Sequence, residues 1–213
     1  STPKPSSAAS DVYKRQLFTQ DIYSYLANGS IVVQGMDPYS AGPVQLLGAG
    51  DKLARSVPFI WANSPSPYGP VALGLAAVVS LITANSILLG VIAHRLLSIA
   101  GIIVAGWAIS CLARRCRVSP ESALWLGILN PLTILHLVGG IHNESIMLGL
   151  LLVGMEMGLR GVDKLGRSRR SAYLTLAASG FCLSCAGMVK VTGFIGLGFV
   201  GMAYARYLIE KNG

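Results

Sequence analysis

Three adjacent residues, His142, Asn143 and Glu144, put an imidazole, an amide and a carboxylate at one turn of an otherwise apolar stretch. They follow Gly139-Gly140, where the apolar run from Asn130 breaks, and they precede a second apolar run, Ile146 to Leu159. Such a trio can bind a hydroxylated ligand. It can equally be a plain helix start, with Asn143 as cap, Glu144 favouring the helix dipole and His142 in water. Asp21 adds a second carboxylate near the beginning of a helical stretch. Arg95, next to His94, lies about nine residues into an apolar run that starts at Ser86. An ionisable group at that depth is costly and points to function, unless it snorkels to the interface. Lys190 ends another apolar run in Met188-Val189-Lys190-Val191-Thr192, as a ligand-binding cation or a snorkelling anchor. Arg95 with its fork of donors and Lys190 with its point charge could together hold a phosphate.

The elements that must position these residues are membrane helices. The chain is 53% hydrophobic and 12% charged, with a mean hydropathy of +0.59. Soluble domains carry about 25% charged residues. The long apolar runs and the deficit of charge predict an all-α polytopic membrane protein. The net charge of +8 is therefore no sign of nucleic-acid binding; what counts is where the basic residues sit.

Leu17–Gln34 has Ile22, Tyr25, Leu26, Gly29 and Val33 at helical spacing, which predicts a short amphipathic helix. Residues 35–69 are proline-rich and read as a loop, with Tyr39, Trp61 and Tyr68 suited to a membrane–water boundary. Pro70–Ala84 is apolar but falls short of the roughly 20 residues needed to cross, so it reads as re-entrant or interfacial. Residues 17–85 thus form an outer loop carrying interfacial helices. Residues 86–213 hold five predicted spans: Ser86–Ala113, Ala123–Gly140, Ser145–Gly161, Ser171–Val189 and Thr192–Leu208. With that parity, the basic residues from Arg114 onward, all but Lys190, fall on or beside one face. That face is expected to be cytoplasmic. The opposite, outer face collects Asp21, Asp37, the His142–Glu144 turn and Lys190.

Ser1–Gln16 reads differently. It is Ser/Pro/Ala-rich and ends in Asp11-Val12-Tyr13-Lys14-Arg15-Gln16, the in-frame translation of a transposon end used in sequencing libraries. The segment is expected to be non-native, and without its three basic residues and one acid the net charge falls from +8 to +6. The chain is accordingly expected to be truncated at both ends, lacking an earlier span.

Other motifs carry less. Cys182 and Cys185 have redox spacing but lie inside a predicted span, where cysteine behaves as a small hydrophobe. Gly196, Gly198 and Gly201 fit GxGxxG, yet no strand precedes them, and close helix packing explains them better. Glu156, in mid-span toward the cytoplasmic third, is expected to make a helix–helix hydrogen bond. There is no P-loop, nucleophile elbow or HExxH.

Taken in order, several motifs resemble one family. They are Gln20-Asp21-Ile22-Tyr23-Ser24-Tyr25, Gly35-Met36-Asp37-Pro38-Tyr39, Pro67-Tyr68-Gly69-Pro70, Ala123-Leu124-Trp125, Asn130-Pro131 and His136–Glu144. As a set they are similar to the actinobacterial polyprenol-phosphomannose-dependent α-1,6-mannosyltransferases, over nearly everything from Leu17 to about Thr192. The resemblance implies a GT-C-like helical bundle with a large outer first loop and a catalytic acid on it. It implies a polyprenyl-phosphate-mannose donor, a mannan or lipomannan acceptor, α-1,6 linkage and a multi-pass plasma-membrane enzyme acting on the extracytoplasmic side. Asp21 would then take the proton of the acceptor hydroxyl, with inversion at the anomeric carbon if attack is direct. Arg95 and Lys190 would stabilise the leaving phosphate. His142, Asn143 and Glu144 would position sugar hydroxyls, or Glu144 could help hold a divalent metal. The competing class is a transporter or flippase for a lipid-linked or small solute, which should show internal repeats; none is visible. A third reading is a membrane scaffold without chemistry.

Overall fold

The computed structural model describes residues 20–212. The Ser1–Gln16 segment and the first residues of the expected Leu17–Gln34 helix lie outside them. The described residues are helical without strands. They divide into two compact units: residues through Ser98 with Ile134–His142, and Ile99–Thr133 with Asn143 onward.

The first unit is built on α1 (Asp21–Val33). Asp21 stands in its first turn, where a carboxylate favours the dipole. Every residue from Ile22 to Ile31 is buried, so α1 is not the amphipathic surface helix its spacing suggested. Its apolar side, Ile22, Tyr25 and Leu26, packs with Leu53, Val57, Val79, Val91 and Ile141. Its backbone meets α5 (Pro70–Thr83) so closely at Gly29 that a Cβ there would collide with the Ala76 carbonyl.

The stretch expected to be a loop contains three short helices, α2 (Pro43–Leu47), α3 (Lys52–Ser56) and α4 (Phe59–Ala62). Local capping makes the first two. The Gly42 N–H donates to the Gln45 side chain at 3.0 Å, and Asp51 Oδ1 accepts from the Leu53 and Ala54 amides at 2.8 and 3.1 Å. Helices of four or five residues leave no periodic trace in sequence. At 14 residues, α5 is about 21 Å long, against about 30 Å of hydrocarbon. It ends where Ala84 and Asn85 take left-handed backbone, φ 48° and 59°.

The long helix α6 (Ile87–Arg115) gives residues to both units. Leu89, Leu96, Ile103 and other large apolar residues along it are exposed, as a lipid-facing surface requires. In the second unit, α9 (Glu144–Lys164) and α10 (Arg169–Val189) pack through small residues. Gly154 and Gly161 sit under Leu183 and Leu176, and the buried Ser179 Oγ donates to the Gly154 carbonyl at 2.6 Å. After a short 3-10 turn at Val191–Phe194 comes α11 (Ile195–Asn212). Of the GxGxxG glycines only Gly196 serves close packing, under Leu183 and Leu151; Gly198 and Gly201 face open space.

Glu156 is 2% exposed and has two partners rather than one: Arg160 Nε at 2.6 Å and Arg115 Nε at 3.4 Å. Arg115 also reaches Asp163 at 2.5 Å. A buried carboxylate needs such company, because its desolvation is otherwise uncompensated.

Four helices among the described residues are long and apolar enough to cross a membrane: α6, α9, α10 and Val191–Lys211. The fifth expected span, Ala123–Gly140, is not one helix. It is broken into α7 (Pro120–Gly127) and α8 (Pro131–Thr133), the latter continued as a π-helix over Ile134–Gly139. Pro131 causes the break, since it lacks an N–H and pushes Asn130 out of helical backbone. Asn130 Oδ1 caps the restart by accepting from the Leu132 amide at 2.8 Å. The chain is thus an all-α polytopic membrane protein.

Candidate active site

The turn after Gly139 is shaped by backbone necessity. The Gly140 amide donates to the Leu135 carbonyl at 3.0 Å and the His142 amide to Leu137 at 3.2 Å, both five residues back. π-Turns of this kind recur at functional sites. A Cβ on Gly140 would lie 2.5 Å from the His136 carbonyl and 2.9 Å from His142 Cδ2, so only glycine lets the chain pass. The next residue, Ile141, is 2% exposed and holds φ 56°, a strained value for a β-branched residue. That strain turns His142 inward.

His142 is consequently not in water. It is 8% exposed, and its ring stacks on His136 with centroids 4.2 Å apart. Its Nδ1 lies 3.6 Å from Asp21 Oδ2, an ion pair whenever the imidazole is protonated. Two of the residues selected from sequence therefore meet: the acid of α1 and the imidazole of the broken helix. The Asp21 carboxylate stays 29% exposed and lines an open-mouthed cleft of about 330 Å³ with Ser24, Asn28, Trp61, Ser66 and Tyr68.

The wall of that cleft is tied together by tyrosines. Tyr25 and Tyr68 meet edge to face with centroids 5.0 Å apart, and their hydroxyls are 3.3 Å apart. The Tyr39 hydroxyl donates to the Tyr68 carbonyl at 2.9 Å. Partial burial, and then the neighbouring Asp37 carboxylate, hold the Tyr39 hydroxyl above the usual tyrosine pKa, so it remains a donor. Behind Tyr25 lies His94, 4% exposed and bonded through Nδ1 to the Gly90 carbonyl at 3.0 Å.

The remaining residues selected from sequence are placed as follows. Arg95 is half-buried, and its Nη2 is fully buried with no hydrogen-bond partner among the described residues. Asn143 stands at the N-cap of α9 and is 9% exposed, but its side chain does not cap the helix. The helix-start reading of this trio holds for Glu144, the acid of the first turn of α9, and fails for the Asn143 side chain and for His142. Glu144 pairs with Lys190 within the second unit. Lys190, read from sequence as a ligand-binding cation or a snorkelling anchor, thus has its charge shared with Glu144. No three His, Cys, Asp or Glu side chains among the described residues converge as metal ligands. Cys182 and Cys185 are free thiols.

Sequence reasoning overlooked Ser24 and Asn28. The available signal was spacing: Asp21, Ser24 and Asn28 recur at i, i+3 and i+7, one face of a helix.

Residues 13–206 match the family model described as alpha-(1->6)-mannopyranosyltransferase, N-terminal domain. The chain is similar to alpha-(1->6)-mannopyranosyltransferase B of Corynebacterium glutamicum, 66% identical over 191 residues that cover 89% of this chain and 32% of the relative. It is also similar to two proteins of Mycobacterium tuberculosis. One is an alpha-(1->6)-mannopyranosyltransferase, 46% identical over 73% of this chain and 26% of the relative. The other is alpha-(1->6)-mannopyranosyltransferase A, 35% identical over 92% of this chain and 35% of the relative. The chain spans about a third of the length of these relatives. No solved structure matches it.

Proposed function

We propose that this chain, which belongs to the alpha-(1->6)-mannopyranosyltransferase family, supplies the catalytic acid and part of the substrate site of a membrane mannosyltransferase. The donor is polyprenyl-phosphate-mannose, the acceptor a mannan or lipomannan chain, and the reaction takes place at the outer face of the plasma membrane. The observation that carries this reading is the Asp21 carboxylate, half open to a cleft on one side and held at 3.6 Å by His142 on the other.

In the step, an acceptor hydroxyl oxygen attacks the anomeric carbon of the donor mannose. The bond from that carbon to the phosphate oxygen breaks, and polyprenyl phosphate leaves with the electron pair. The acceptor proton passes to Asp21 as general base. Attack opposite the phosphate inverts the anomeric centre. A phosphate leaves as a stable anion, so the demand is for positive charge rather than for an acid. Arg95, with an Nη2 not yet engaged, meets that demand; Lys190 brings a charge shared with Glu144. His142 positions the base, and Asn143 and Glu144 serve the sugar hydroxyls.

The test uses the full-length protein in membranes given polyprenyl-phosphate-mannose and an oligomannoside acceptor. Asp21→Asn should lower transfer about 10²- to 10⁴-fold at normal expression, the span expected for a positioned general base. Near wild-type transfer by that variant would remove Asp21 from the chemistry. Absence of transfer by the wild type would favour a transporter instead.

A further inference from the structure

The cleft beside Asp21 contains polar groups that the reaction above does not use. Ser24 is 7% exposed and Asn28 is 4% exposed. Ser24 Oγ and Asn28 Oδ1 are both fully buried and have no hydrogen-bond partner among the described residues. Leaving such groups unsatisfied is costly, so native proteins rarely do it without a ligand or water to take the place. Both residues line the same cleft as Asp21. From Asp21 to Asn28 the row runs two helical turns, about 10 Å along α1.

The chemistry of the lining selects the ligand. Asn28 Oδ1 and the Asp21 carboxylate accept hydrogen bonds, and the Ser24 hydroxyl can do either. No lysine or arginine among the described residues lines the cleft, and Asp21 would repel an anion. Phosphate is therefore unsuited, whereas a neutral ligand bearing several hydroxyl donors is suited. The same cleft is lined by Trp61, 40% exposed, and Tyr68, aromatic rings with a polar tip of the kind that take a flat, partly apolar face. A pyranose ring has both features: hydroxyls around its edge and C–H groups on its faces. The cleft is open at its mouth, and its roughly 330 Å³ includes solvent-filled space that a bound ring would share.

We infer that Ser24 and Asn28, with Trp61 and Tyr68, form a neutral-hexopyranose subsite that holds the terminal sugar of the acceptor with its hydroxyl toward Asp21. The assignment to the acceptor rests on the reaction proposed above, because Asp21 acts on the acceptor's proton; the polyol chemistry of the cleft does not.

The test uses full-length protein in detergent with Asp21→Asn added to stop turnover. Binding of an α-1,6-linked mannoside is followed by tryptophan fluorescence and by calorimetry, and binding of polyprenyl-phosphate-mannose is measured separately. Asn28→Ala and Ser24→Ala should each weaken mannoside binding about threefold to tenfold, and Trp61→Ala, at an exposed position that tolerates truncation, at least as much. Asn28→Asp, which keeps an acceptor oxygen at that place, should lose less than Asn28→Ala. Loss confined to the donor would overturn the acceptor assignment, and mannoside binding unaffected by all three truncations would overturn the subsite. Mannoside binding that depends on Asn28 in a protein whose wild type transfers no mannose would leave the subsite standing and sink the reaction. Transfer by Asn28→Ala, Ser24→Ala and Trp61→Ala at unaltered acceptor KM would do the reverse.

Discussion

His142 Nδ1 lies 3.6 Å from Asp21 Oδ2, joining the π-turn that ends one broken helix to the first turn of another. Neither residue is unusual alone. An acid in a first helical turn and a histidine after a glycine pair are both common surface features. Their meeting, with the carboxylate's other side on a cleft, is the geometry on which the proposed role of Asp21 as base rests. His142→Gln should therefore lower kcat of the full-length enzyme about 10-fold or more while leaving KM for donor and acceptor within a factor of two or three. A rise in KM with unchanged kcat would make His142 a substrate ligand instead of a positioning residue.

Gly140 sits where the turn has no room for a side chain. Gly140→Ala places a methyl group against the His136 carbonyl and the His142 ring. Overpacking of this kind costs about 1–3 kcal/mol. The expected outcome is a lower unfolding temperature in detergent together with loss of transfer. Retention of both would mean the turn rearranges freely.

The carboxylate of Glu156 neutralises two guanidinium groups, which are themselves partly exposed, with side-chain exposures of 29% for Arg115 and 45% for Arg160. Glu156→Ala should therefore destabilise more than Arg160→Ala, since the acid is the shared partner. Breaking a fully buried pair costs about 3–5 kcal/mol, and water at the arginines reduces that to about half or less. Thermal unfolding of the two variants checks the order.

Tyr39 links pH to the cleft wall. Its hydroxyl is held above the ordinary tyrosine value of about 10 by partial burial first and by Asp37 second. A pKa raised on folding means the protonated form is favoured in the native state. The contribution is present below the unfolded tyrosine value and fades as pH rises through the folded one. The hydrogen bond from Tyr39 to the Tyr68 carbonyl should then persist across neutral and mildly alkaline pH. Tyr39→Phe should melt slightly below wild type at pH 7–9, and the gap should close as pH rises past the ordinary tyrosine value of about 10. A gap that stays constant across that range would show that the hydroxyl's protonation is not what matters.

How far the sequence reaches can be judged from particular residues. The shortage of charge and the apolar runs determined a helical membrane protein by themselves, because the bilayer demands it of any chain with that composition. The ordered motifs pointed to the family, which the similarity over residues 13–206 shows. Glu156 could be expected to have a partner, because a carboxylate there is too costly alone. The tertiary structure alone decided who meets whom. It buried α1 on every side, where helical spacing predicted one wet face, because α5 and the short capped helices cover it. It broke the Ala123–Gly140 run at Pro131 and wound the remainder as a π-turn, which carried His142 from water to Asp21. It gave Lys190 to Glu144, and left Ser24 and Asn28 unsatisfied in a cleft. Hydropathy and periodicity are local properties read along one dimension. Partners brought together from distant parts of the chain depend on backbone breaks, glycine-sized gaps and strained dihedrals, whose consequences appear only when the chain is folded in three.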